Sequence, residues 1–154
     1  MNIVDYISPE RILILKGTNK ESVLKEMIQI SGSCLYDEKQ FSQAIFKREA
    51  LLSTGVGFET AFPHSKTNSV IDFFVTIGIS QRGIDWQSVD ERPVKLVFLI
   101  GGPLQDQNRY LKILAALSKI ANKDEKRQIM LTVDTPDDFY NEFCKSALQE
   151  IQAI

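Results

Sequence analysis

Two apolar runs, Asp72–Ser80 (DFFVTIGIS) and Val94–Gly102 (VKLVFLIGG), constrain this chain more than any other feature. Both are rich in β-branched and aromatic residues, the side chains that suit a pleated surface, and both read as strong strands near the centre of a sheet. A shorter run, Arg11–Gly17 (RILILKG), reads as a third strand. Most of the remaining sequence has helical period. Thr18 and Glu21 have the spacing of a capping box, followed by an apolar face at Val23, Leu24, Met27, Ile28 and Ile30. Asp37, with Gln40 three residues on, opens a second helix whose stripe is Phe41, Ala44, Ile45 and Leu51. A long helix is expected over Asp106–Ile120 and a shorter one within Asn122–Val133. A last helix has Thr135 as N-cap and Pro136 in first position, with Asp137 and Asp138 favourable to its dipole. Strands and helices intermix, and there are helices enough for both faces of a sheet. The expected architecture is three layers, helix–sheet–helix, in a single domain over residues 1–154.

Composition narrows the function classes. With 154 residues, 18 Lys+Arg against 20 Asp+Glu and a net charge of −2, the chain has no basic footprint for nucleic acid. Cys34 and Cys144 are isolated, and with a single histidine they fall short of a tetrahedral set, so no zinc site is expected. Free thiols, the absence of a signal-like start and the absence of an apolar run of about 18 residues give a cytoplasmic expectation.

The only histidine, His64, lies in LLSTGVGFETAFPHS (Leu51–Ser65). Alternate glycines, Gly55 and Gly57, let backbone amides approach a ligand closely. Pro63 stiffens the chain just before the imidazole. Ser53 and Thr54 bring hydroxyls, and Arg48 brings a fixed positive charge from the end of the second helix. Together these groups suit a phosphoryl group held on or beside a nucleophilic imidazole. The plain alternatives are a hydrogen-bonded turn histidine, a turn-capping Thr54 and an Arg48 on a solvated helix face. The segment is neither a dinucleotide fingerprint nor a P-loop, since the third glycine and the Gly-Lys-Ser/Thr are missing.

The pattern RE-x-LLSTGVG-x-x-x-A-x-PH resembles the active-site signature of enzyme IIA domains of the fructose–mannitol class of the bacterial phosphoenolpyruvate-dependent phosphotransferase system, including its nitrogen-regulatory branch. SPERILIL, FSQAIFKRE, GIDWQSVDERPVKLVFLI and YLKILAALSKI are similar to that family's segments in the same order, so the resemblance covers essentially the whole chain. It implies an α+β fold, a three-layer α/β/α sandwich on a mixed β-sheet. It implies a phosphohistidine at His64, with Arg48, Ser53 and Thr54 stabilising phosphate or orienting the ring. The expectation of no metal and no organic cofactor follows from the resemblance alone. The partners it implies are a phosphorylated HPr-like donor and a IIB-type acceptor or regulatory target protein, with a membrane involved only indirectly, through a transporter.

The chain also departs from that pattern. Family members commonly carry a second histidine at the start of the late helix, where this chain has Tyr110. A phenol can donate a hydrogen bond to phosphate but, with a reference pKa near ~10, supplies no positive charge. Its plain alternative is a packed interfacial ring. Arg109 is adjacent but points about 100° away around the helix. Phe58 reads as an exposed docking anchor or a packed ring, and Phe62 as a core residue of a strand. Two functions follow from the resemblance, a phosphocarrier in sugar transport and a regulatory module read through the state of His64.

Overall fold

The computed structural model describes residues 1–152, so the last two residues of the expected domain span lie outside it. Among the described residues the strands are β1 (Ile12–Ile14), β2 (Gly55–Gly57), β3 (Thr60–Ala61), β4 (His64–Lys66), β5 (Phe74–Ile84) and β6 (Val94–Gly102). The α-helices are α1 (Lys20–Ile30), α2 (Glu38–Leu51), α3 (Gln107–Ala121), α4 (Asp124–Leu131) and α5 (Pro136–Gln152). The strands form one sheet in the order β1-β5-β6-β3-β2, with β4 also on β6. β5 and β6 are antiparallel, whereas β1 on β5, and β3 and β4 on β6, are parallel. The fold is α+β, a three-layer sandwich on a mixed sheet.

The two long strands are buried on both faces, which is why they read as nearly continuous apolar runs. Val75, Ile77 and Ile79 of β5, with Leu96, Phe98 and Ile100 of β6, face a core completed by α3, α4 and α5. Phe74, Val97 and Leu99 face the opposite core beneath α1 and α2. Among the described residues no helix is long and apolar enough to cross a membrane.

Several local expectations are corrected by the structure. The cap of α1 is Asn19, whose side chain accepts from the Ser22 amide while Ser22 reciprocates, so Thr18 lies one residue outside the box. Either residue type can cap, and it is Asn19, in extended conformation, whose side chain reaches the Ser22 amide. Asp37 caps α2 as expected, accepting from the Gln40 amide. The α2 stripe, however, runs Phe41, Ile45, Glu49: the third rung is a buried carboxylate, and Leu51 is 78% exposed. β5 continues past Ser80, the end of its apolar run, to Ile84. The segment from Gly55 to Lys66, for which no strand was expected, contains three short strands.

The hairpin between β2 and β3 turns through Phe58 and Glu59, both at positive φ (56° and 58°), after Gly57 at 94°. Two consecutive left-handed residues make the tight connection that suits strand twist, and it is a conformation that favours Gly and Asn. Glu59 is held there because its carboxylate accepts from Gln128 Nε2 at 2.9 Å and faces Arg127, Lys95 and Arg92 at 3.6–3.8 Å. Arg127 also lies under the Phe58 ring, 5.8 Å from its centroid. Glu59→Gly and Glu59→Ala lose the same carboxylate, but only alanine keeps a Cβ in the left-handed region. Urea unfolding should therefore find Glu59→Ala less stable by about 1 kcal/mol. Equal stabilities would place the strain elsewhere.

Candidate functional site

β3 and β4 are one strand in two pieces. Thr60 pairs with Leu96, Ala61 with Val97 and His64 with Ile100, so the register against β6 is unchanged across Phe62 and Pro63. Pro63 lacks an amide hydrogen, yet its carbonyl accepts from the Ile100 amide at 2.9 Å, so the proline sits in the ladder without breaking it. Alternation then sets the side chains. Phe62 is buried and stacks on Phe98 at 5.4 Å, the core role expected of it, and His64, two residues on, projects from the same face toward α3.

The imidazole is fixed at both edges. Nδ1 lies 2.8 Å from the Phe62 carbonyl oxygen. A carbonyl only accepts, so Nδ1 carries the hydrogen and Nε2 bears the lone pair. The ring packs on Tyr110 of α3 at a centroid distance of 5.2 Å. Burial is the main cause that lowers the His64 pKa below its usual 6.5; the bond to Phe62 opposes it, the Arg48 charge reinforces it, Glu49 opposes it and Lys66 reinforces it. The result is a neutral, nucleophilic imidazole at pH 7. Tyr110 is pushed up to about 12, chiefly by burial, so its phenol stays neutral throughout the physiological range.

The ring opens on a cleft of about 420 Å³. Arg48, Ser53, Thr54 and His64 line it together with the apolar Leu52, Val56, Phe58 and Val89. Arg48, in the last turn of α2, donates from Nη1 to the Leu52 carbonyl at 2.7 Å, satisfying an orphan carbonyl of its own helix end. Ser53 donates to the Trp86 carbonyl at 2.5 Å and accepts from the Gly55 amide at 3.1 Å. The Thr54 hydroxyl donates to Glu49 Oε1 at 2.5 Å and accepts from the Trp86 indole at 3.2 Å. Tyr110 stands against the far side of the imidazole, and Arg109 is held by an ion pair to Asp106 at 3.2 Å. Phe58 is 44% exposed at the rim.

Two roles in the neighbourhood escaped the sequence reading, that of Glu49, present only as part of the family signature, and that of Lys66. Glu49 is buried and anchors the loop, taking the Thr54 amide at 2.8 Å and the Lys20 ammonium at 3.1 Å. Its signal was available: it occupies the rung after Phe41 and Ile45, where an apolar residue belongs. Lys66 lies over the Tyr110 ring at 5.6 Å, and strand alternation from His64 points to it.

The sequence profile of the family described as "Phosphoenolpyruvate-dependent sugar phosphotransferase system, EIIA 2" matches residues 5–146. The chain belongs to this EIIA family. It is 34% identical over 140 residues to the PTS system fructose-specific EIIABC component of Bacillus subtilis, a match covering 89% of this chain but only 22% of that protein. The EIIA fold here superposes on the crystal structure of nitrogen regulatory protein IIA-Ntr from Neisseria meningitidis with a TM-score of 0.81 at 21% identity, covering 91% and 97% of the two chains. It superposes on IIA mannitol of Escherichia coli, solved in complex with phosphorylated enzyme IIB mannitol, with a TM-score of 0.77 at 19% identity, covering 90% and 97%. The EIIA chain is therefore a component of a phosphotransferase system.

A titration separates this site from an ordinary surface imidazole. Nitrogen-detected NMR should place the His64 midpoint below 6.5 with Nδ1 as the protonated nitrogen of the neutral ring. Because the unfolded chain then binds a proton more readily than the folded one, this group lowers stability as pH falls through 6.5, and the loss is complete below the folded midpoint. A midpoint at or above 6.5 would contradict the burial argument.

Proposed function

We propose that this EIIA chain is a phosphocarrier that accepts a phosphoryl group on His64 from a phosphorylated HPr-like donor and passes it to a cysteine of a IIB-type protein. The observation that carries this reading is the Nδ1 contact to the Phe62 carbonyl, which leaves Nε2 as the nucleophile of a residue lining an open cleft. As the Nε2–P bond forms, the donor's P–N bond breaks and its electron pair returns to the donor imidazole. The proton on Nδ1 stays in place, held by the carbonyl. In the onward step a partner thiolate attacks phosphorus and the pair returns to Nε2. Such a transfer is chiefly a matter of positioning and charge compensation. Arg48 supplies fixed charge, Ser53 and Thr54 hold the loop that shapes the cleft wall, and Tyr110 stops the ring from turning. The solved complex of a protein of this fold with phosphorylated IIB supports the choice of acceptor.

A nitrogen-type regulatory role is the second reading, and Tyr110 favours it. A phenol that stays neutral adds no charge beside the phosphoryl group, which suits a slowly exchanging signal. Intact-mass analysis after incubation with phosphoenolpyruvate, enzyme I and HPr tests both. One acid-labile adduct, mapped to His64 and discharged by a IIB protein, supports the carrier. An adduct that forms and persists with IIB proteins supports the regulator. A folded protein that never acquires the adduct overturns both.

A further inference from the structure

A phosphoryl group on His64 carries about −1.5 to −2 charges near neutral pH, more than one guanidinium balances. Arg48 reaches the cleft from α2, and one of its donors is already committed to the Leu52 carbonyl. A second cation stands on the other side. Lys66 is two residues from His64 on β4, so both side chains project from one face. Its register partner on β6 is Gly102, over which the Phe73 ring packs, so no charged side chain faces Lys66 from that position. The Lys66 ammonium lies 5.6 Å from the centroid of the Tyr110 ring, and that ring lies 5.2 Å from the imidazole. Among the described residues Lys66 takes part in no ion pair, although ten such pairs exist elsewhere in the protein. An ammonium held over a mostly buried aromatic face, with no carboxylate to neutralise it, is a charge available to an anion beside it.

We propose that Lys66 is the second cationic ligand of the phosphoryl group on His64, and that the Tyr110 ring is the platform that aims it. This assignment rests on the phosphocarrier reading and extends it: the helix position faced by His64 contributes an aromatic surface, and the strand contributes the charge. Arg48 and Lys66 then bracket the phosphoryl oxygens from two different elements. The direction of the charge effects on the free imidazole agrees, since both cations disfavour its protonated form.

The effect is read as an equilibrium, because a residue that merely touches the donor protein changes rates and leaves the partition of phosphate unchanged. Wild-type protein and HPr are charged together with limiting phosphoenolpyruvate and catalytic enzyme I, and the phosphorylated fraction of each is measured by intact mass once it stops changing. Lys66→Met should move the partition toward HPr by about tenfold, the worth of one charge-assisted contact, and Lys66→Arg should restore most of it. A wild-type partition retained in Lys66→Met, with or without slower charging, overturns the assignment of Lys66 and leaves the phosphocarrier reading intact. A wild-type protein that takes no phosphate overturns both.

Discussion

His64→Gln is expected to stay folded and to acquire no acid-labile phosphoryl group under conditions that charge the wild type. The substitution is mild structurally. The imidazole is only half-buried, and a glutamine amide N–H can donate to the Phe62 carbonyl as Nδ1 does. The chemistry is removed altogether, because the amide nitrogen's lone pair is delocalised into its carbonyl and has no affinity for phosphorus. His64 is the only histidine in the chain, so no second imidazole can take over. The change is from stoichiometric labelling to none, with a thermal midpoint close to wild type. An acid-labile adduct surviving in the variant would remove His64 from the mechanism.

The largest effect on stability should come from Glu49→Ala. The Glu49 carboxylate holds together four groups: the Thr54 amide, the Thr54 hydroxyl, the Lys20 ammonium and, through Thr54, the indole of the fully buried Trp86. Lys20 additionally sits over the Trp86 ring at 5.3 Å. Truncation leaves a cation and two donors facing a void, and breaking a buried pair from one side costs about 3–5 kcal/mol. For a domain of this size that lowers the thermal midpoint by roughly 10 °C or more. The same variant should charge poorly on His64 even below its melting transition, because the loop carrying Ser53 and Thr54 loses its tether to α2. A midpoint within a degree or two of wild type would show that the network is ornamental to the fold.

How far the sequence revealed the molecule depends on whether local pattern or tertiary contact decides each feature. β5, β6 and the Asp37 and Thr135 caps were legible because periodicity and capping chemistry are local. β2, β3 and β4 were not, since strands of two or three residues have no period to detect and exist only because β6 provides a ladder for β3 and β4, and β3 in turn one for β2. His64 stood out through Pro63 and the family signature. Its tautomer was hidden, because it depends on a carbonyl two residues back whose direction the strand alone determines. Thr54 was legible as a residue of the segment, but its partners Glu49 and Trp86 lie on two other parts of the chain. Arg109 falls on the local side: its ion pair is with Asp106, three residues back at the start of α3, a spacing that helix geometry alone brings together.

The margins of the sheet set the terms on which anything can bind there. β1, β2 and β4, the segments along those margins, are three residues long each, and the pairing of β2 is further interrupted by a bulge. The two long strands are enclosed at its centre. Among the described residues a visiting protein thus meets only short edge segments on β1, β2 and β4, which limits the strand-to-strand zipping that turns a meeting into a fibre or a permanent dimer. Recognition near His64 is left to side chains such as Leu52, Phe58 and Val89, which can be wetted again at little cost when the visitor departs. If the chain is the phosphocarrier proposed above, touched and released many times over, brevity at the edge keeps each encounter reversible.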